Sequence, residues 1–392
     1  MNSDWKRVKL GELCEVIAGQ SPDSRYYNSD GNGVAFYQGK KDFGEKFIEA
    51  PTTWTTQVTK IAKQGDILMS VRAPVGPVNF ATSECCIGRG LAAIRITGDL
   101  DQHFLYYQLK FLEPSIAGRE GMVFASINKS EIASLPIWSC PLAEQKRIVR
   151  SLDEAFEGIA VAKANAEKNL QNVRVLFESH LHAVLAKGAN GWKSAPLNEI
   201  CDLISRGISP SYAEAGDTVV LNQRCVRNHQ VDFGPSRRHD GSIKKVAEMR
   251  LLQPGDVLVN STGVGTLGRV GQVITLPQRR TTVDSHITIL RPRADLFVQK
   301  FFGYMLIAIE PSIALLGQGS GGQTELAKSA LSAMHVTWPT SHAEQKRKIA
   351  NLDALVGASD VLASGYLKKL AALDDLQKSL LSQAFLGELE AA

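Results

Sequence analysis

The chain has 392 residues, 44% hydrophobic and 21% charged, a balance that excludes a disordered or collagen-like polymer and gives material for two or three separate cores. A formal net charge of +4 is too small to name a partner by itself. The opening MNSDWKRVKLGEL has no apolar core for a secretory signal, and the most apolar stretch, 301–317, is short for a bilayer and broken by Glu310 and Pro311. A cytoplasmic protein with no membrane span is expected, with a buried helix and a turn over 301–317.

In chain order, residues 1–141 read as a mixed α/β part. The apolar run Asp66–Arg72 follows a Gln-Gly turn, as a strand does, and a short helix is expected around Phe104–Phe111. Residues 142–187 carry helical periodicity instead. Stepping alternately three and four, the positions are Val149, Leu152, Phe156, Ile159, Lys163, Ala166, Leu170, Val173, Phe177, His180 and Val184, nine of eleven apolar. Residues 188–339 return to the mixed pattern, with a strand over Asp256–Thr262 after Pro-Gly and a helix over Phe301–Ile309. The glycines of Gly317–Gly322 read as a flexible loop. Residues 340–392 repeat the ladder: Ile349, Leu352, Val356, Ser359, Ala363, Tyr366, Leu370, Leu373, Gln377, Leu380 and Ala384, again nine of eleven suited to a packed seam.

The second half therefore repeats the first. WKRVKLGELCEVIAGQSP from Trp5 answers WKSAPLNEICDLISRGISP from Trp192. Gly65-Asp66-Ile67-Leu68 answers Gly255-Asp256-Val257-Leu258, and Phe104-Leu105-Tyr106-Tyr107 answers Phe301-Phe302-Gly303-Tyr304. Glu113-Pro114-Ser115-Ile116 answers Glu310-Pro311-Ser312-Ile313. Ala143-Glu144-Gln145-Lys146-Arg147 recurs at Ala343–Arg347, an offset of 200. A stripe repeating every 3.5 residues marks a coiled coil, and helices of roughly 40 residues, about 60 Å long, exceed what a domain about 30–40 Å across can cover. Pairing of the two helices, antiparallel, is the economical solution, against self-packing or dimerisation. The expected fold class is mixed α+β: two globular domains separated by two long helices pairing as an antiparallel coiled coil, with an internal pseudo-two-fold repeat.

Signals for chemistry are weak. Six cysteines show no C-x-x-C spacing, and Cys85 and Cys86 point to opposite faces of any strand they share. Gly263-x-Gly265-x-x-Gly268 fits a dinucleotide fingerprint, but the run after it is strand-like, where a helix N-terminus is needed to hold pyrophosphate. The eight histidines form no metal cluster, and His180 reads as a polar residue in the helical seam. No nucleophile and base stand at a convincing spacing.

The Trp-x-x-x-x-Leu-x-Glu openings at Trp5 and Trp192, the paired Gly-Asp turns, the paired Ala-Glu-Gln-Lys-Arg helix starts and the closing Ser379–Leu389 together resemble the S (specificity) subunits of Type I restriction-modification enzymes. The resemblance runs in order along essentially the whole chain. The copies depart where Ala73-Pro74-Val75-Gly76 stands against Gly263–Gly268, and where Thr340-Ser341-His342 replaces Cys140-Pro141-Leu142. The resemblance implies a non-catalytic reader of double-stranded DNA, with target-recognition domains at 1–141 and 188–339, each reading one half of a bipartite, asymmetric site. The helices 142–187 and 340–392 are implied to space them and dock two modification subunits, with restriction and translocase subunits completing the complex. No cofactor is expected on this chain; S-adenosylmethionine, ATP and Mg belong to those partners. The competing reading is a duplicated coiled-coil scaffold joining proteins without DNA; a self-contained methylating enzyme, which would bind S-adenosylmethionine alone, is a third.

Candidate contacts follow from segments that align between copies. Tyr37-Gln38-Gly39-Lys40-Lys41 stands against Asn222-Gln223-Arg224-Cys225; Gln can pair bidentately with adenine, and Arg or Lys can serve guanine or phosphate. Arg227 lies close by. Basic residues gather at Arg237, Arg238 and His239, at Lys244 and Lys245, and at Arg279 and Arg280; of these Arg237, Arg238, Lys244 and Lys245 read as phosphate anchors in a flexible loop. Arg72 and Arg269, beside the strand-end glycines, complete the set. For each, a merely solvated surface is the alternative.

Overall fold

The computed structural model describes residues 5–117, 126–186, 191–278, 280–318 and 324–386. Arg279 and the end of the closing motif, from 387 onward, lie outside them. The chain divides into two compact units, residues 1–167 with 367–392, and residues 168–366, so each division falls inside a long helix.

In the first unit four antiparallel strands stand in the order Cys14–Ala18, Leu91–Ile96, Ile67–Ser70, Val78–Phe80. All four residues of Ile67–Ser70 are buried, because both faces of the strand are covered. Ile67 and Met69 face the helix Gln102–Ala117 through Phe104, Leu105 and Leu109, while Leu68 and Ala93 face Tyr37, Cys85 and Ile87 of a second sheet of five short strands. Cys85 and Cys86 do share a strand, Cys85–Ile87, and both are fully buried.

The second unit repeats this order with Cys201–Arg206, Ile287–Pro292, Val257–Asn260 and Val270–Gln272. Val257 and Val259 pack on Phe301, Phe302 and Leu306, while Leu258, Ile287 and Ile289 pack on Leu221 and Val283. The apolar segment here is two helices, Gln299–Ala308 and Glu310–Leu315, with Pro311 in the first turn of the second, where its missing N–H costs nothing. Its counterpart in the first unit is one helix with Pro114 inside.

The repeated motifs are repeated clamps. Gly65 and Gly255 sit at φ +85° and +102°, a backbone that favours glycine, and so turn the chain into the central strand. The next residue, Asp66 or Asp256, accepts the backbone N–H of Lys63 or Gln253 at 2.8 Å. It then takes a two-point ion pair from the neighbouring strand: Arg95 at 3.1 and 2.7 Å, Arg291 at 2.8 and 2.8 Å. The Gln of Ala-Glu-Gln-Lys-Arg is fully buried in both copies. Gln145 accepts from Asp101 N at 2.7 Å and donates to Cys140 O; Gln345 accepts from Val298 N at 2.8 Å and donates to Pro339 O and Leu296 O. Each globular part is closed by an antiparallel pair whose second strand leads into a long helix: Lys6–Lys9 with Pro136–Ser139, and Trp192–Pro196 with His335–Pro339.

The long helices run Leu142–Leu185 and His342–Leu386. Within the first unit the start of one packs on the end of the other: Ile148, Leu152, Leu381, Ala384 and Phe385 share a core with Phe104, whose ring lies 5.5 Å from that of Phe385. Within the second unit Phe177, Leu181 and Val184 share a core with Ile349 and Leu352, and Lys348 Nζ donates to Val184 O. In both units the pairing is antiparallel.

The ladder positions Val149, Leu152, Phe156, Ile159, Leu170, Val173, Phe177 and Val184 are buried or half-buried, as are Ile349, Leu352, Val356, Leu370, Leu373 and Leu380. His180 is a correction: it is exposed, and Leu181, at 1% exposure, takes its place. A straight helix drifts about 20° per heptad against a strict 3.5 repeat, so the inward position slips by one residue. The loop expected over Gly317–Gly322 is described only at its start. Gly317–Gln318 pairs antiparallel with Glu325–Leu326; residues 319–323 lie outside the described part.

Candidate nucleic-acid interface

The aligned segments occupy equivalent places. Strands Val34–Tyr37 and Thr218–Leu221 each pair in parallel, with Cys85–Ile87 and Thr281–Val283, and each runs directly toward a 3-10 turn, Lys40–Asp42 or Gln223–Cys225. Gln38 and Gln223 thus leave their sheets at equivalent strand ends.

In the first unit the candidates converge. Gln38, Lys40, Lys41 and Arg72 line one hollow of about 570 Å³ together with Ser70, Pro74 and Gly90. Gln38 Nε2 donates to Tyr27 Oη at 3.2 Å, and Tyr27 spends its own proton on Pro22 O at 2.9 Å. That phenol can therefore only accept from Gln38, which fixes the amide: Oε1 and the second N–H remain for a ligand. Lys40, Lys41 and Arg72 are exposed; Lys41 lies 3.8 Å from Asp42. Burial holds the Asp42 carboxyl above its ordinary range, against the pull of Lys41.

In the second unit Gln223 lies against the loop Gly263–Gly268, its Oε1 3.4 Å from Thr266 Oγ1, and Asn260 Nδ2 donates to its backbone oxygen at 3.0 Å. Gly263, at φ +104°, leaves room for that amide: a Cβ there would meet Gln223 Oε1 at 2.6 Å. The run after this loop is the strand Val270–Gln272, so no helix N-terminus is present to hold a pyrophosphate. Arg224 and Arg227 are exposed, Arg227 on a short strand paired with Gln230.

Two candidates also donate to backbone oxygens within their own unit. Arg269 Nη2 donates to Gly265 O at 2.8 Å and so closes the glycine loop. The counterpart of Arg72 is Thr262: Arg72 forms a backbone bridge to Ser126, and Thr262 forms one to Glu325. Arg237 and Arg238 lie on a strand, Arg237–His239, where a flexible loop was expected; alternation turns Arg238 inward, and its Nη1 donates to Gly216 O at 3.1 Å. Arg237 stays exposed, 3.5 Å above the Tyr212 ring. Lys244 and Lys245 are exposed in the loop that follows. Sequence reasoning does not find Tyr212 and Thr266, whose partners Arg237 and Gln223 lie 25 and 43 residues away, nor Tyr27, whose pairing with Gln38 depends on how two short strands fold together. Ser209-Pro210, which answers Ser21-Pro22, was the one pointer toward Tyr212. No group of three or more His, Cys, Asp or Glu among the described residues could hold a metal ion.

Fold and site together define a protein of two similar units, each an α/β core that presents polar and basic loops at the ends of its strands and is clamped by a buried glutamine to a long helix. Comparison with known proteins makes this particular. Residues 2–171 match the family model of the Type I restriction modification DNA specificity domain. A Methanocaldococcus jannaschii protein assigned as the type I restriction enzyme MjaX specificity subunit is 40% identical over 169 residues, spanning 42% of this chain and 40% of that relative. The EcoBI specificity subunit of Escherichia coli is 18% identical over the whole chain and 87% of its own length. The fold is shared with a chain from a solved type I restriction-modification system at a TM-score of 0.77 and 19% identity, covering 98% of each. It is shared less closely with the HsdS subunit of Thermoanaerobacter tengcongensis, at a TM-score of 0.52 over 99% and 98%. The family match thus covers residues 2–171, and the likeness over the full length is one of fold.

Proposed function

We propose that the chain is the DNA-reading subunit of a Type I restriction-modification complex. Residues 1–141 and 188–339 each read one half of a bipartite target, and the paired helices dock two modification subunits and space the readers. Restriction and translocase subunits join the same complex. Methyl transfer from S-adenosylmethionine and ATP-driven steps belong to those partners, and the chain itself reads without catalysing. It works in the cytosol, in keeping with the absence, among the described residues, of any helix long and apolar enough to cross a membrane.

The observation that carries this reading is the convergence of Gln38, Lys40, Lys41 and Arg72 on one hollow, with Gln223 at the matching strand end of the other unit. A glutamine offering an acceptor and a donor side by side is complementary to the adenine major-groove edge, and the lysines suit phosphate. Since the loops around the two glutamines differ, the half-sites differ, and the target is not a palindrome. The test is coexpression with the neighbouring modification subunit in a methylation-free host, followed by modification-sensitive sequencing. A single gapped, asymmetric motif carrying methyladenine is expected. A symmetric, ungapped motif would refute the two-reader arrangement, and no new methylation from a soluble complex would favour the protein scaffold.

A further inference from the structure

The basic cluster of the second unit is organised by a residue that, in sequence, looks like one of its exposed members. His239 is fully buried at the end of the strand Arg237–His239. Its Nδ1 lies 2.9 Å from the Ser211 backbone nitrogen, which can only donate, and its Nε2 lies 2.7 Å from the Lys244 carbonyl oxygen, which can only accept. The backbone partners favour one form of the ring: Nδ1 accepts from Ser211 N and Nε2 donates, while Ser211 O, 3.2 Å from Nδ1, takes the N–H of Asp240 instead.

Those partners belong to two loops about 30 residues apart in the chain. The Ser211 loop carries Tyr212, whose ring is covered by the Arg237 guanidinium at 3.5 Å. The Lys244 loop carries Lys244 and Lys245, and Lys244 Nζ reaches back to Ser209 O at 3.2 Å. Asp240 N donates to Ser211 O at 3.0 Å beside the ring. The nearby carboxylates are turned elsewhere: Asp217 toward Arg280 and Gly241 N, Asp240 toward Ser242. Three cations, Arg237, Lys244 and Lys245, are thus left facing solvent from a frame that His239 ties together.

We infer that His239 is a positioning residue, which holds Arg237, Lys244 and Lys245 as one ledge for the phosphate backbone of DNA. The inference rests on the DNA-reading function proposed above. Lysine ammoniums are point charges, and the Arg237 plane is committed to Tyr212, so the ledge fixes the position of the duplex without reading its bases.

The experiment uses the full chain assembled with its modification subunits and follows binding to a duplex of unrelated sequence as salt is raised. Each phosphate contact contributes about 0.9 to the slope of log affinity against log salt. The surface variant Lys244→Ala/Lys245→Ala is expected to lower that slope by about 1.8, so that its deficit against the unsubstituted complex shrinks about tenfold between roughly 50 and 200 mM salt. His239→Leu is expected to reproduce at least that loss and, in the double-lysine background, to add no more than the single contact of Arg237, about 0.9. His239→Gln, which can still donate toward Lys244, recovers part of it, and the methylated motif stays the same throughout. Weaker binding of His239→Leu at an unchanged slope, or a changed motif, would overturn the assignment. Should His239→Leu fail to fold, the lysine pair decides alone, since an unchanged slope there removes the ledge. Absence of binding by the unsubstituted complex at every salt concentration would instead strike the DNA reading itself.

Discussion

At the scale of single residues, the most exacting positions are the two aspartates that follow the turn glycines. Asp256 has a side chain only 1% exposed and is satisfied by Gln253 N and by both ends of the Arg291 guanidinium. Removing it strands a cation against a covered sheet. Breaking a buried pair from one side costs about 3–5 kcal/mol, so Asp256→Ala should destabilise the second unit by that measure and lower its urea midpoint by that loss divided by the urea slope. Replacing an exposed cation such as Lys245 should leave the midpoint nearly unmoved. Equal midpoints for the two variants would show the Asp256 clamp to be dispensable. Both aspartates were visible in the sequence as members of a repeat, but their reason was not. Arg95 and Arg291 lie 29 and 35 residues further on, and nothing local pairs them.

At the scale of elements, the long helices are fastened to their own globular parts by a repeated carboxylate. Asp153 accepts from Tyr107 at 2.5 Å and Lys46 at 2.9 Å; Asp353 accepts from Tyr304 at 2.6 Å and Lys300 at 2.8 Å. Burial by itself would raise both carboxyls, but the hydrogen bonds from tyrosine and lysine outweigh it and hold both below the ordinary carboxylate range. A carboxyl depressed by folding stabilises the fold above its unfolded pKa of about 3.9, and that contribution is lost as pH falls through the lower folded value. Stability should therefore fall with pH below about 4, and Asp153→Asn with Asp353→Asn should flatten that limb in pH-dependent thermal melts. The seam holds a second device. Lys163, a polar exception in the first ladder, meets Gln377, a polar exception in the second, at 3.1 Å, and Asp374 at 2.6 Å. Polar groups inside a seam fix register at some expense of stability. Lys163→Leu with Gln377→Leu should melt no lower than the natural chain, whereas Lys163→Leu alone, which leaves Gln377 without its donor, should melt lower.

At the scale of the whole molecule, the proposed function with unlike loops in the two units implies that each unit controls its own part of the target. Gln38→Ala in the first unit should make one position of one half-site degenerate, by about 1–3 kcal/mol of lost discrimination, and leave the other half-site intact. Gln223→Ala should do the converse, and methylation mapping of both variants checks the pair of outcomes. A change in both half-sites from either substitution would contradict independent readers. The duplication, the paired helices and the heptad seam were legible in the linear sequence, because a hydrophobic period and a repeat offset are properties of residue order alone. The same local information placed Gln38 and Gln223 at matching strand ends. Only the tertiary structure decided that Arg72 joins Gln38 in one hollow, that Arg238 and Arg269 bind backbone within their own unit, and that His239 is buried between two loops. Those outcomes depend on which distant backbone groups the strand pairing brings within about 3 Å of a side chain, and that proximity is not encoded by the neighbours of the residue in sequence.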